Sequence, residues 1–125
     1  MILAESNKYI IKNEYETAYL VDKEKNKTIS VVADMYGDPT GAAISEDESY
    51  YIVFGCGAVV YCIKKPFENY EHGCVSQQWF EVYTDGSVWF DQIKYLDRHK
   101  IVLLSEEHLE YEIDKESKKI IKGNA

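Results

Sequence analysis

Apolar and polar residues alternate along most of the chain with a period of two. Leu109, Tyr111 and Ile113 are separated by Glu110 and Glu112, and Tyr15, Thr17, Tyr19 and Val21 repeat the pattern near the start. That period puts alternate side chains on opposite faces of an extended strand, so these segments read as strands with one wet face. Strands are expected at about 8–13, 15–22, 28–34, 42–45, 49–55, 58–63, 76–84, 87–95, 100–104, 108–114 and 119–122. No segment carries an apolar stripe of helical period, and a short helix is expected at most near Pro66–Glu71. The pattern predicts one all-β domain over residues 1–125, an antiparallel meander of about ten strands.

Turn chemistry divides the strands. Thr84-Asp85-Gly86-Ser87 stands between Gln78–Tyr83 and Val88–Phe90. Asp-Gly tolerates positive φ at both loop positions, which predicts a two-residue hairpin opposing Val82 to Trp89 and Phe80 to Asp91. Large apolar groups then occupy both faces of that hairpin. One face should join the core, and another sheet or a partner should cover the other.

A repeat runs through the chain. Shifted by 92 positions, Met1–Ile29 aligns without a gap on Ile93–Ile121. Tyr19-Leu20-Val21-Asp22-Lys23-Glu24 meets Tyr111-Glu112-Ile113-Asp114-Lys115-Glu116, and Lys8-Tyr9-Ile10-Ile11 meets Lys100-Ile101-Val102-Leu103. A looser middle copy passes from Ala43-Ile44-Ser45 through Glu46-Asp47-Glu48 into Tyr50–Phe54 and Ala58–Ile63. The units, about 1–34, 42–64 and 76–122, resemble the blades of β-propellers, with Asp-Lys-Glu-x-x-Lys as the exposed turn between outer strands. A propeller typically closes with at least about four blades, so a sandwich or an incomplete propeller is expected.

Charge narrows the function. Twenty-two acids against 14 bases give a net charge of −8. Such a surface repels nucleic acid and anionic membrane, and it favours a basic partner. Met1-Ile2-Leu3-Ala4-Glu5 lacks the basic start and apolar run of a signal peptide, and no apolar stretch is long enough to span a bilayer. The odd set Cys56, Cys62 and Cys74 fits reduced thiols, so a cytoplasmic location is expected.

Candidate chemistry is thin. Cys56 and Cys62 are too far apart for paired zinc ligands, and His72 and Cys74 sit in a loop, so no metal or cofactor is expected. His99 and His108 lie in polar turns away from any nucleophile elbow. The loop Tyr36-Gly37-Asp38-Pro39-Thr40-Gly41 lacks a phosphate cradle's lysine. The expectation is a protein without catalysis.

What remains is a surface of acids beside aromatic rings, with Tyr36, Asp38, Glu46, Asp47, Glu48, Trp79, Glu106 and Glu107 as candidate partner-binding residues. Rings supply burial at an interface and charge of one sign steers association. In size, acidity, tyrosine-rich strands and lack of catalytic residues, the chain resembles the small immunity proteins of bacterial toxin–immunity systems, including contact-dependent growth inhibition. The resemblance implies a monomer or weak homo-oligomer that covers the active site of a cognate toxin domain, such as a basic nuclease. The alternative is a propeller-like ligand-binding or scaffold module that self-assembles through its edge strands.

Overall fold

The computed structural model describes residues 1–123. Twelve antiparallel strands form three four-stranded sheets, and each sheet is a meander in which chain neighbours pair. The first holds β1 (Ile2–Glu5), β2 (Tyr9–Glu14), β3 (Thr17–Asp22) and β4 (Lys27–Asp34). The second holds β5 (Gly41–Ile44), β6 (Tyr50–Gly55), β7 (Gly57–Cys62) and β8 (Trp79–Val82). The third holds β9 (Phe90–Leu96), β10 (Lys100–Ser105), β11 (Glu110–Asp114) and β12 (Ile120–Lys122). The fold is all-β, as the period of two requires. No helix forms at 66–71, where the β7–β8 loop instead lies along the free edge of β4. There Val31 N–H donates to Asn69 Oδ1 at 2.9 Å, and Tyr70 N–H donates to Val31 O at 2.9 Å.

The second sheet is the middle layer of the stack. Tyr51, Val53, Val59, Tyr61 and Trp79 pack on the first sheet against Ile11, Leu20 and Val32. Tyr50, Ile52, Phe54, Ala58 and Val60 pack on the third against Phe90, Ile101, Leu103 and Ile113. A strand buried on both faces reads as a continuous apolar run, which is why Tyr50–Phe54 contains no polar break. An aromatic column runs along the second sheet's face in the first interface. Tyr61 stacks on Tyr51 at 5.1 Å and on Trp79 at 6.2 Å between centroids, and Tyr70 meets Trp79 edge-on at 5.4 Å.

The three sheets are copies of one plan. Lys23 N–H donates to Lys8 O at 2.9 Å, Ile63 to Ser49 at 2.9 Å and Lys115 to His99 at 2.8 Å. Tyr9 pairs with Asp22, Tyr50 with Cys62 and Lys100 with Asp114 in the corresponding hairpins. The turn between the last two strands also recurs. Asp22 Oδ1 caps Lys25 N–H and Asp114 Oδ1 caps Ser117 N–H, with Asn26 and Lys118 at φ of 52° and 62°. β5 lies against β1 on one side and β9 on the other, so the first strands neighbour one another as in a propeller. The three blade-like units do not close on one another as a barrel among the described residues; they follow as three packed sheets.

Four details depart from the sequence reading. First, Val82 and Trp89 do not pair: β8 and β9 belong to different sheets, and residues 83–89 are the crossover between them. Cys56 captures Trp89 in a bridge, and Gly57 N–H donates to Val88 O at 2.8 Å. The third unit therefore starts at Phe90, and β8 completes the second. Second, there are twelve strands, because Ile2–Glu5 adds a first strand. Third, the gapless match fails before β3. The β2–β3 turn is Tyr15-Glu16, whereas the β10–β11 turn is Glu106-Glu107-His108. Tyr9 therefore matches Lys100 and Ile10 matches Ile101, one residue out of step with the sequence alignment. A one-residue slip exchanges the faces of a strand, and burial decides the register. Fourth, Trp79 is 6% exposed, within the aromatic column. It is a core residue and presents no partner-binding surface.

Candidate functional site

Antiparallel meanders sort their connections to two ends of the stack, and the two ends differ in charge. At one end lie the connections 15–16, 35–40, 56, 83–89 and 106–109. They hold Glu16, Asp38, Asp85, Glu106 and Glu107, and no lysine or arginine. Glu14 and Asp34 finish the adjoining strands. The connections that start from the other end hold Lys8, Lys23, Lys25, Lys64, Lys65, Arg98, Lys115, Lys118 and Lys119 among their acids. The chain's excess negative charge is thus concentrated at the first end. Exposed rings accompany it, with Tyr15 at 85% and Tyr36 at 79% exposure.

A cleft of about 540 Å³ opens at this acidic end. Glu16 of the β2–β3 turn and Asp34, Met35 and Tyr36 at the end of β4 form one side. Thr84, Asp85 and Gly86 of the β8–β9 crossover form another, and Tyr70 and His72 reach in from the long β7–β8 loop. Cys56 joins β6 to β7 and completes the lining. Its volume lies in the range of about 300–1,000 Å³ typical of ligand pockets.

The walls are held in place by hydrogen bonds. Tyr70 Oη–H donates to Glu81 Oε2 at 2.5 Å, Thr84 Oγ1–H donates to the same oxygen at 3.3 Å, and Gly73 N–H reaches Glu81 at 3.2 Å. His72 Nε2 stands 3.9 Å from that carboxylate. Glu81 thus ties the β7–β8 loop to β8. Burial, and then its bond to Glu81, push the Tyr70 hydroxyl well above the ordinary tyrosine range. Asp85 accepts Ser87 Oγ–H at 2.7 Å and Ser87 N–H at 3.0 Å. Those bonds hold its carboxyl below the usual range and keep it charged at neutral pH. Burial, and then Asp85, raise the Cys56 thiol, so it stays protonated.

A close approach shapes the rim. Gly57 adopts φ of 77°, and a Cβ there would stand 2.5 Å from Tyr83 O. Only glycine lets the β6–β7 connection fit beneath the crossover.

The sequence-derived candidates fall in three places. Tyr36 lines the cleft, and Asp38, Glu106 and Glu107 lie exposed at the same end. Glu46, Asp47 and Glu48 occupy the β5–β6 turn at the opposite end, so the eight residues do not form one face. There Glu48 accepts Ser6 Oγ–H at 2.5 Å and Lys8 N–H at 2.9 Å, joining the first and second units. Trp79 is in the core. The sequence reading passed over Glu16, Asp34, Asp85 and Tyr70. The signal for them was the absence of lysine and arginine from alternate connections, which shows only once the strands are sorted into sheets.

Among the described residues no group of three or more His, Cys, Asp or Glu side chains is placed to hold a metal ion. No helix among them is long and apolar enough to cross a membrane. No known protein family and no curated protein sequence matches the chain.

Proposed function

We propose that this is a cytoplasmic immunity-type protein, without catalysis of its own, that neutralises a cognate toxin domain by covering its active site. The observation that carries the reading is the segregation of charge, with five acids and no lysine or arginine in the connections at one end. A nuclease must attract the phosphate backbone, so a basic surface lines its substrate cleft, and an acidic end competes for the same field. The exposed rings of Tyr15 and Tyr36 supply apolar burial inside the charged rim.

The test is inhibition of the toxin domain encoded beside this chain. Stoichiometric protein abolishes its nuclease activity, and added salt slows the association. The triple variant Asp38→Asn/Glu106→Gln/Glu107→Gln lowers the association rate roughly tenfold or more. The control Glu24→Gln/Glu46→Gln, at the opposite end, leaves it unchanged. Undiminished toxin activity in the presence of the wild-type protein overturns the reading.

A further inference from the structure

We propose that the cleft at the acidic end is the receptor for one guanidinium-tipped side chain, an arginine of the partner. The assignment rests on reading this end as the partner-binding face, and it names the group that enters.

The cleft is anionic and its charge is not met from within. Glu16 and Asp85 approach it from two connections and Asp34 from the end of β4, and none of them takes part in an ion pair among the described residues. Among the described residues Asp34 accepts only Thr17 Oγ1–H, at 3.1 Å on Oδ1, and Asp85 receives both Ser87 donors on Oδ1. Each therefore keeps Oδ2 available to an incoming donor. The lower lining is soft and apolar. Met35 is 6% exposed and Cys56 2%, and the Cys56 thiol is free and makes no side-chain hydrogen bond among the described residues. It is a buried, weakly accepting group that faces the cleft with no partner.

This combination selects between cations. An ammonium is a compact, strongly hydrated point charge, best matched by a few acceptors and water. A guanidinium is planar and weakly hydrated, presents five donors in fixed directions and stacks on aromatic faces. Three carboxylates spread around a cleft walled by Tyr36 and Tyr70 suit the second. The long apolar stem of arginine would lie on Met35 and Cys56. A neutral side chain would leave the carboxylates desolvated without compensation.

Titration of the isotope-labelled free protein with butylguanidine, butylamine and butylurea, followed by amide NMR shifts, tests the assignment. Butylguanidine should move the amides of Met35, Tyr36, Cys56, Asp85 and Gly86 saturably, and butylamine should bind at least fivefold more weakly. Butylurea should not bind. Glu16→Gln removes an exposed carboxylate that makes no hydrogen bond or ion pair among the described residues, and with Asp34→Asn it should weaken butylguanidine at least fivefold while leaving the other amide shifts in place. Equal binding of butylamine or butylurea overturns the assignment. So does a response spread evenly over Asp38, Glu106 and Glu107, which is diffuse charge screening. The titration uses no toxin, so a cleft that binds butylguanidine survives failure of the immunity reading. An inhibitory protein with a silent cleft loses only this assignment.

Discussion

At three equivalent positions, two residues before the end of the third strand of each unit, the chain places Leu20, Val60 and Glu112. The first two are buried against the next sheet, while Glu112 faces outward from the last one. The neighbouring set Val21, Tyr61 and Ile113 faces the other way, and there the middle and last residues bury against the preceding sheet. One strand plan therefore serves a two-sided and a one-sided layer, and the difference lies in which face carries charge. The outer face of the third sheet is crossed by the pairs Lys94–Glu110 and Lys100–Glu112. A stack of repeats ends where its last unit has a polar outer face.

The largest effect should come from giving the middle sheet the residue of the terminal one. Val60→Glu puts a carboxylate between the second and third sheets, beside a pocket where the Lys115 and Lys118 ammoniums rest over the Tyr50 and Phe80 rings. A buried charge without a partner costs about 3–5 kcal/mol; those lysines offset part of it, and what remains is still a large share of a small domain's stability. Circular dichroism should show loss of the cooperative urea transition. A variant that unfolds within about 1 kcal/mol of wild type would show that the second interface is not tightly packed.

A smaller effect separates two glycines of positive φ. Gly57→Ala meets both an unfavourable conformation and a carbonyl 2.5 Å away, and backbone cannot step aside cheaply. A cost of about 2–3 kcal/mol is expected. Gly86, at φ of 92°, has nothing within 4 Å of the new Cβ. Gly86→Ala should cost only about 1 kcal/mol, the conformational part alone. Urea midpoints measure both, and equal losses would contradict the close packing under the crossover.

How much of this was legible in the sequence follows from where the information sits. Alternation such as Leu109-Glu110-Tyr111-Glu112-Ile113 is local, so the all-β class and strands such as β3 and β11 could be read directly, whereas the short Ile2–Glu5 strand, with no clear alternation, was missed. The copied turn at Asp22 and Asp114 was legible too, since each aspartate caps donors two or three residues onward. The Asp85-Gly86 hairpin was not, because nothing local shows that Cys56, far along the chain, competes for Trp89. Trp79 illustrates the same limit, since exposure depends on which sheet covers a face. The acidic end was half legible. Asp38, Glu106 and Glu107 stood out as acids, but Glu16, Asp34 and Asp85 converge only through the crossovers.

The turns predict a response to acid. Ser49 and Ser45 hydroxyls donate to Asp47 Oδ1 at 2.7 and 2.8 Å and hold its pKa at about 2, below the ordinary 3.8. Backbone N–H groups of His99 and Lys100 likewise lower Asp97. A carboxyl with a depressed folded pKa stabilises fully above its unfolded value and loses that contribution as pH falls through the folded one. The thermal midpoint should therefore drop between about pH 4 and pH 2. Asp47→Asn should flatten part of that slope, and an unchanged slope would remove the β5–β6 turn from the acid response.

The smallest expected effect on stability is the reverse of the first substitution. Glu112→Val gives the terminal sheet the residue of the middle one, and it breaks only an exposed pair, 3.3 Å from Lys100. Such pairs contribute about 0–1 kcal/mol, and valine suits a strand, so the urea midpoint should move by no more than about 0.5 kcal/mol. The change should appear in association instead. Val102 pairs with position 112 across β10 and β11, and Ile121 pairs with it across β11 and β12. Valine between them joins these side chains, with Ile121 already 61% exposed, into one apolar strip. Light scattering should then show stronger concentration-dependent self-association than wild type, because Glu112 no longer opposes a second sheet. A Glu112→Val protein that self-associates no more than wild type would mean that the remaining Lys94–Glu110 pair suffices to keep this face unpaired.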